Sequence, residues 1–357
     1  MKSYIKELFY YILTGLMLWY CIIIISDGVR IKEAVISAAE MCMNVIIPSL
    51  FAFMAASGII VSSGAYALLS KPFALLSKYV FAMPAELFCI FLISNIAGYP
   101  VGAKMLCDLY DNGRIDKRTA ETMQCFCFAS GPAFVGSAVG LALYGSVKIG
   151  IIVFLSCTLT NAALAAVICR IVRPKVTETK AKSRFSPQVI TDSVLSAGKS
   201  LFGICVLIIF FSSLTAVLDH YHILETAASQ LGIPNGETVL RSLLEVSNLS
   251  RLPKMPYSFI PVLSGICSFG GVCVLLQLAS LTAGRYSLKL FLLTRPVASA
   301  LCVINSFWLS RLMLPRSMEA IAAQQQIFVK VNNFVPSVCL ILMIFLLKIK
   351  KRVAFSK

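Results

Sequence analysis

Charge is scarce in this chain, and most of it is of one sign. Only 13% of the 357 residues are Asp, Glu, Lys or Arg, against about 25% in soluble domains. The acidic residues number 16 against 32 Lys and Arg. A water-facing surface on a chain this size needs far more charge than that, which speaks against a soluble globular enzyme. Histidine is nearly absent, with only His220 and His222. Neither has a cysteine or a second His pair at zinc-ligand spacing, and no C-x-x-C occurs; Cys125 and Cys127 form the only close cysteine pair. No metal or redox site is expected, and His220-Tyr221-His222 reads as a polar loop. The catalytic signatures are missing too. There is no Walker loop, no nucleotide fingerprint, no G-x-S-x-G and no H-E-x-x-H, so no enzyme activity and no cofactor are expected.

What the chain has is apolar surface: 58% hydrophobic residues and a mean hydropathy of +0.85. The thirteen cysteines do not form a disulfide framework; Cys21, Cys42, Cys89, Cys157, Cys169, Cys205, Cys273, Cys302 and Cys339 sit inside apolar runs, as small hydrophobes do. The basic residues fall in short clusters at Lys104–Arg118, Arg170–Lys199 and Lys348–Lys357. Such clusters between apolar runs are orientation signals on a lipid bilayer, and no nucleic-acid partner is expected.

A spanning helix needs about 20 mainly apolar residues. Runs of that kind place helices at about 8–26, 34–62, 119–143, 147–170, 199–218, 256–283, 287–311 and 326–347. The first is too long for a secretion signal and reads as a retained anchor. Seven basic residues between Arg170 and Lys199, with the basic tail from Lys348, mark the cytoplasmic side, whereas Asp219–Glu237 carries Asp219, Glu225 and Glu237 without Lys or Arg and reads as external. Two segments break the spanning pattern: 86–107, interrupted at Ser94-Asn95 and Gly98-Tyr99-Pro100, and 240–253, interrupted by Glu245, Ser247 and Asn248. They read as re-entrant hairpins or as amphipathic surface helices.

The two halves echo each other. Ser49-Leu50-Phe51 recurs as Ser200-Leu201-Phe202, Ser94-Asn95 as Ser247-Asn248, and Ser130-Gly131-Pro132 lies opposite Phe269-Gly270-Gly271, all in the same order. With the orientation above, the repeats are inverted, an architecture of secondary transporters. The expected fold is therefore an all-α polytopic membrane protein with about eight transmembrane helices and two re-entrant hairpins in two inverted repeats.

Helices broken at Ala129–Ala133 and Ser268–Val272 either expose half-helix amides to an anion or simply pack closely. Intramembrane polar residues are functional suspects. The candidate substrate-binding set is Asn95, Ser130, Gly131, Glu245, Asn248, Ser268, Gly270, Gly271 and Gln277. Glu245 and Asn248, three apart, share a face if helical and suit a coupling proton or sodium ion. Glu86 and Gln124 are weaker suspects, as a cap and as a vestibule residue.

The strings Ile47-Pro48-Ser49-Leu50-Phe51-Ala52-Phe53, Gly98-Tyr99-Pro100-Val101-Gly102-Ala103-Lys104 and Ser130-Gly131-Pro132-Ala133-Phe134-Val135-Gly136, with Ser268-Phe269-Gly270-Gly271 and Gln277, resemble the YlbJ-type sporulation integral membrane proteins. These belong to the nucleoside-recognition (Gate) domain group, which also relates to concentrative nucleoside transporters. The resemblance spans about residues 31–312. Together with the hydropathy and charge pattern, it divides the chain into an N-terminal transmembrane anchor (1–30), a first Gate-like repeat (31–170), a basic cytoplasmic linker (171–198), a second Gate-like repeat (199–312) and a C-terminal transmembrane helix with a basic tail (313–357). It implies transport of dipicolinic acid, a small planar dianion, across the outer forespore membrane. The competing expectations are a nucleoside or nucleobase transporter coupled to H+ or Na+, and a non-transporting membrane scaffold. Oligomeric state is left open.

Overall fold

The computed structural model describes residues 2–177, 185–231, 236–252 and 255–314, so the expected helix 326–347 and the basic tail lie outside the described residues. Every regular element in that range is helical. Helix α1 (Lys2–Ser26) precedes α2 (Gly28–Ser63), which carries a π-helical stretch at Cys42–Ile46. Pro48 explains that stretch: it has no N–H for the carbonyl of Asn44 one turn back, so the ladder there has to rearrange. Gly64, at φ 75°, stops α2.

Next come α3 (Lys71–Phe81) and α4 (Ala85–Ala97), bent 94° to each other. A non-helical break at Gly98–Pro100 separates α4 from α5 (Val101–Asp111). Helix α6 (Lys117–Gln124) starts on a cap in which the Asp116 carboxylate accepts from Thr119 N at 2.8 Å. Residues 125–131 then run without a regular helix to α7 (Pro132–Tyr144), followed by α8 (Val147–Val172). The second half holds α9 (Pro187–His220), α10 (Ile223–Leu231), α11 (Gly236–Leu244) with a 3₁₀ turn at Val246–Arg251, α12 (Ile260–Phe269), α13 (Gly271–Thr282) and α14 (Lys289–Met313).

Five helical stretches are long and apolar enough to cross a bilayer: α2, α8, α9, Tyr257–Thr282 (α12 with α13) and α14; the bent pair α3 and α4 makes a sixth if counted as one span. The described residues are thus those of a helical integral membrane protein, without strands among them. The count differs from the sequence expectation for identifiable reasons. The expected span 119–143 is cut by seven residues without regular helix, and the apolar part of the first helix, Tyr10–Ser26, is short for a span. Helix α9 begins at Pro187 rather than near 199, because Ser186 Oγ accepts from Val189 N and Pro187 fits the first turn. The linker is correspondingly shorter.

Packing follows a membrane logic in which small and hydroxylated residues join helices. In the bundle of α8, α12 and α14, Ser264 donates to Ser306 at 2.7 Å, Ser299 to Gly265 O at 2.8 Å and Asn305 to Thr160 at 2.9 Å. Large apolar side chains such as Phe202, Ile304 and Trp308 are left exposed, a pattern suited to lipid rather than water.

Candidate substrate cavity

Each broken element rests on another. At the first junction, Tyr99 N donates to Ala129 O at 2.7 Å, tying the break between α4 and α5 to the irregular segment before α7. The contact is close enough that a Cβ on Gly98, at φ 84°, would fall 2.6 Å from Gly131 N. Glycine is required there on both counts. At the second junction, a Cβ on Gly271 would lie 3.2 Å from Leu243 O and 3.3 Å from Ser242 O, so the end of α11 abuts the start of α13. The junctions also meet one another. Ser130 Oγ lies 2.9 Å from Tyr99 Oη and 3.0 Å from Cys267 O, and Gly270 abuts the ring of Phe128. Since a serine hydroxyl has a single proton, donation to the carbonyl leaves the tyrosine as donor to Ser130.

The N–H groups of Cys125, Phe126 and Cys127 still bond back to Thr122 and Met123, but the carbonyls of Cys125, Phe126 and Phe128 have no backbone donor among the described residues, and buried carbonyls need partners. Side-chain amides supply them. Asn95 Nδ2 donates to Phe91 O and Phe126 O, while Asn161 Nδ2 donates to Phe128 O and to Asn95 Oδ1, each at 2.8 Å. Arg295, only 1% exposed, donates to Ser268 O at 3.3 Å and closely to Cys125 O. Its guanidinium stacks on Phe128 and Phe291, 5.1 and 4.8 Å from the ring centres. The carbonyls it grips lie at the C-terminal ends of α12 and α6, where the helix dipole is negative. No acidic side chain pairs with it among the described residues.

Above these junctions lies a cavity of about 460 Å³, within the usual range of small-molecule sites. The π-bulged part of α2 contributes Asn44, Pro48, Ser49 and Phe53; the first junction contributes Tyr99, Ser130 and Phe134. Glu245 and Ser247 enter from the turn after α11, Val274 and Gln277 from α13, and Ile204 and Ile208 from α9. Among the described residues, no lysine or arginine lines it. The nearest cation along the aromatic stack is Arg295, behind Phe128, which stacks on Tyr99 at 4.7 Å.

Of the candidate residues, Ser130, Gly131, Glu245 and Gln277 line this cavity. Asn95 serves the backbone behind it, and Ser268, Gly270 and Gly271 build the junctions. Asn248 turns away, donating to Arg241 O at 3.3 Å. Glu245 and Asn248 do not share a helical face because Glu245 is extended (φ −144°, ψ 112°), outside the helix. The two breaks also differ: Gly131–Phe134 line the cavity, whereas Gly271 at the start of α13 packs against the carbonyls at the end of α11. Gln124 accepts from Tyr286 at 2.9 Å, away from the cavity. Glu86 sits in the first turn of α4, with no side-chain cap bond at that helix start.

Three contributors escaped the sequence reading: Tyr99, Asn161 and Arg295. The last two carry an available signal, a strong hydrogen-bonding group inside an otherwise apolar span. Compared with protein-family models, curated proteins and solved structures, the chain gives no match.

Proposed function

We propose that the protein is a secondary transporter whose central cavity carries a small planar anion, with dipicolinate, the solute implied by the YlbJ-type resemblance, as its substrate at the outer forespore membrane. The observation that carries this reading is the convergence, on one cavity of about 460 Å³, of the helix break at Ser130-Gly131, the break at Gly98–Pro100 and the turn at Glu245–Ser247, with Gln277 from α13. Irregular backbone inside an apolar protein is tolerated where it lines a site. Phe53, Tyr99 and Phe134 bring aromatic rings to the wall for a flat solute, and the Gln277 amide, with only one of its two N–H groups engaged by Cys273, offers a donor at its edge.

The element order supports an inverted repeat. In this reading α2 corresponds to α9, the α4–α5 hairpin to α11 with its 3₁₀ turn, α6–α7 to α12–α13, and α8 to α14. The α4–α5 hairpin enters from the side of Arg114, Lys117 and Arg285, the cytoplasmic side by its basic character. The second hairpin enters from the opposite side, where Arg241 pairs with Asp219 at 3.1 Å and with Glu237 at 2.5 Å. Two related hairpins reaching one cavity from opposite faces suit alternating access.

The test is uptake of labelled dipicolinate into proteoliposomes, with uridine as the comparison solute and proton and sodium gradients imposed in turn. Dipicolinate-selective flux above that of protein-free vesicles is the expected result. Uridine-selective flux assigns the cavity to nucleosides instead, and flux of neither solute overturns the transport reading for both.

A further inference from the structure

Among the described residues, Glu245 is the only ionisable carboxyl on the cavity wall, and it is 2% exposed. Its Oε1 accepts from Ser247 N at 3.1 Å, capping the 3₁₀ turn, while its Oε2 is buried outside hydrogen-bond geometry, with the Ser247 hydroxyl and the Cys273 thiol as the neutral donors beside the carboxyl. The titratable groups that face it are two thiols and a phenol, Cys42 from α2, Cys273 from α13 and Tyr99 from the first junction, and none of them is a cation. The guanidinium of Arg241, one turn earlier on α11, is engaged by Asp219 and Glu237 instead. An ionised carboxylate without a cation in such a place is costly, and the group takes up a proton instead. A cap needs only one oxygen, and a neutral thiol and hydroxyl bring no positive charge to the other.

Resting on the transporter reading above, we infer that Glu245 carries the coupling proton: the cavity binds its anionic solute together with one H+ on Oε2. The protonated acid is a hydrogen-bond donor toward a solute carboxylate, whereas the ionised form repels it. When the cavity opens and fills with water, the carboxyl is solvated, the O–H proton passes to water and the solute is released. A fresh proton must be bound before the next anion. One proton therefore moves with each solute, and the pair carries one unit less negative charge than the solute alone.

The test uses the purified full-length protein in lipid nanodiscs and two readouts. Infrared difference spectroscopy at neutral pH, comparing wild type with Glu245→Gln, should show the C=O stretch of a protonated carboxylic acid that the variant lacks; this needs no solute. Dipicolinate binding, measured from weakly acidic to weakly alkaline pH where both solute carboxyls stay ionised, should weaken in the wild type by about tenfold per pH unit once Glu245 titrates. The slope should vanish in Glu245→Gln, whatever its absolute affinity, because the amide mimics the protonated acid and keeps the oxygen that caps Ser247. A missing infrared band, or a slope that survives in Glu245→Gln, overturns the inference. So does binding that depends on sodium and not on pH, which would place a metal cation at the carboxyl. If the band is present but no dipicolinate binds at any pH, the transporter reading fails for this solute while the protonated state of Glu245 stands.

Discussion

A buried arginine without a carboxylate is the most consequential single residue of the junction. Arg295 holds the terminal carbonyls near Ser268 and Cys125, and so joins the two broken helices through α14. Two effects oppose each other in Arg295→Met. Removing the guanidinium relieves its desolvation, but it orphans two buried carbonyls at about 1–3 kcal/mol each and removes stacking on two rings. Because both carbonyls lie in irregular or terminal backbone with no other donor in place, the loss should win, at about 2–4 kcal/mol net. Chemical unfolding in mixed micelles checks it, and a variant as stable as wild type would show the charge to be a burden rather than a brace. The composition of the chain points to arginines in loops, and the eye passes over one lying seven residues into an apolar helix. Its partners are backbone atoms distant in sequence, which no local pattern encodes. The same holds for Asn161, whose two acceptors belong to α4 and to the segment before α7.

At the scale of elements, the same substitution should act with opposite sign at two helical glycines. A Cβ on Gly102 in α5 would collide with the Cys127 carbonyl oxygen and press on Ser94 Cβ at 2.9 Å, and a backbone oxygen has little freedom to retreat. Gly203 in α9 is exposed, and a methyl group added to its Cα would meet nothing within 4 Å. Gly102→Ala should therefore destabilise by about 1–3 kcal/mol or more through overpacking. Gly203→Ala should be neutral or stabilise by up to about 1 kcal/mol through helix propensity. Parallel thermal melts of the two variants decide it, and equal shifts would sink the claim that α5 is wedged against the first junction. The positions of the breaks were legible, since Gly98, Pro100, Gly131 and Gly270 interrupt apolar runs in plain view. What each break rests on was not, because pairing α5 with Cys127 or α13 with the end of α11 depends on tertiary contact. The helix starts were only partly legible: the Ser186-Pro187 cap was present in the sequence, yet the basic residues around it suggested a loop.

For the molecule as a whole, four of the nine residues selected for substrate binding meet in one cavity, drawn from both halves of the chain: Ser130 and Gly131 from the first, Glu245 and Gln277 from the second. A solute held there touches both halves at once, including the break at Gly98–Pro100 and the turn at Glu245–Ser247. Its binding energy is therefore added to the stability of the assembled state and is unavailable to the unfolded one. At a concentration about 100 times the dissociation constant this linkage amounts to about 2.7 kcal/mol. For a chain of this length, that corresponds to a rise of roughly 2–4 °C or somewhat less in melting midpoint. Dipicolinate should produce such a shift, and isophthalate, which keeps both carboxylates and the planar ring, should produce a smaller one only if the ring nitrogen is recognised. Benzoate, with a single carboxylate, separates charge from shape. A scaffold without a binding role predicts no shift with any of the three. Equal shifts from all three would show that the cavity selects an aromatic ring with one carboxylate, and the second carboxylate would then have no dedicated partner among Ser49, Ser130, Glu245 and Gln277.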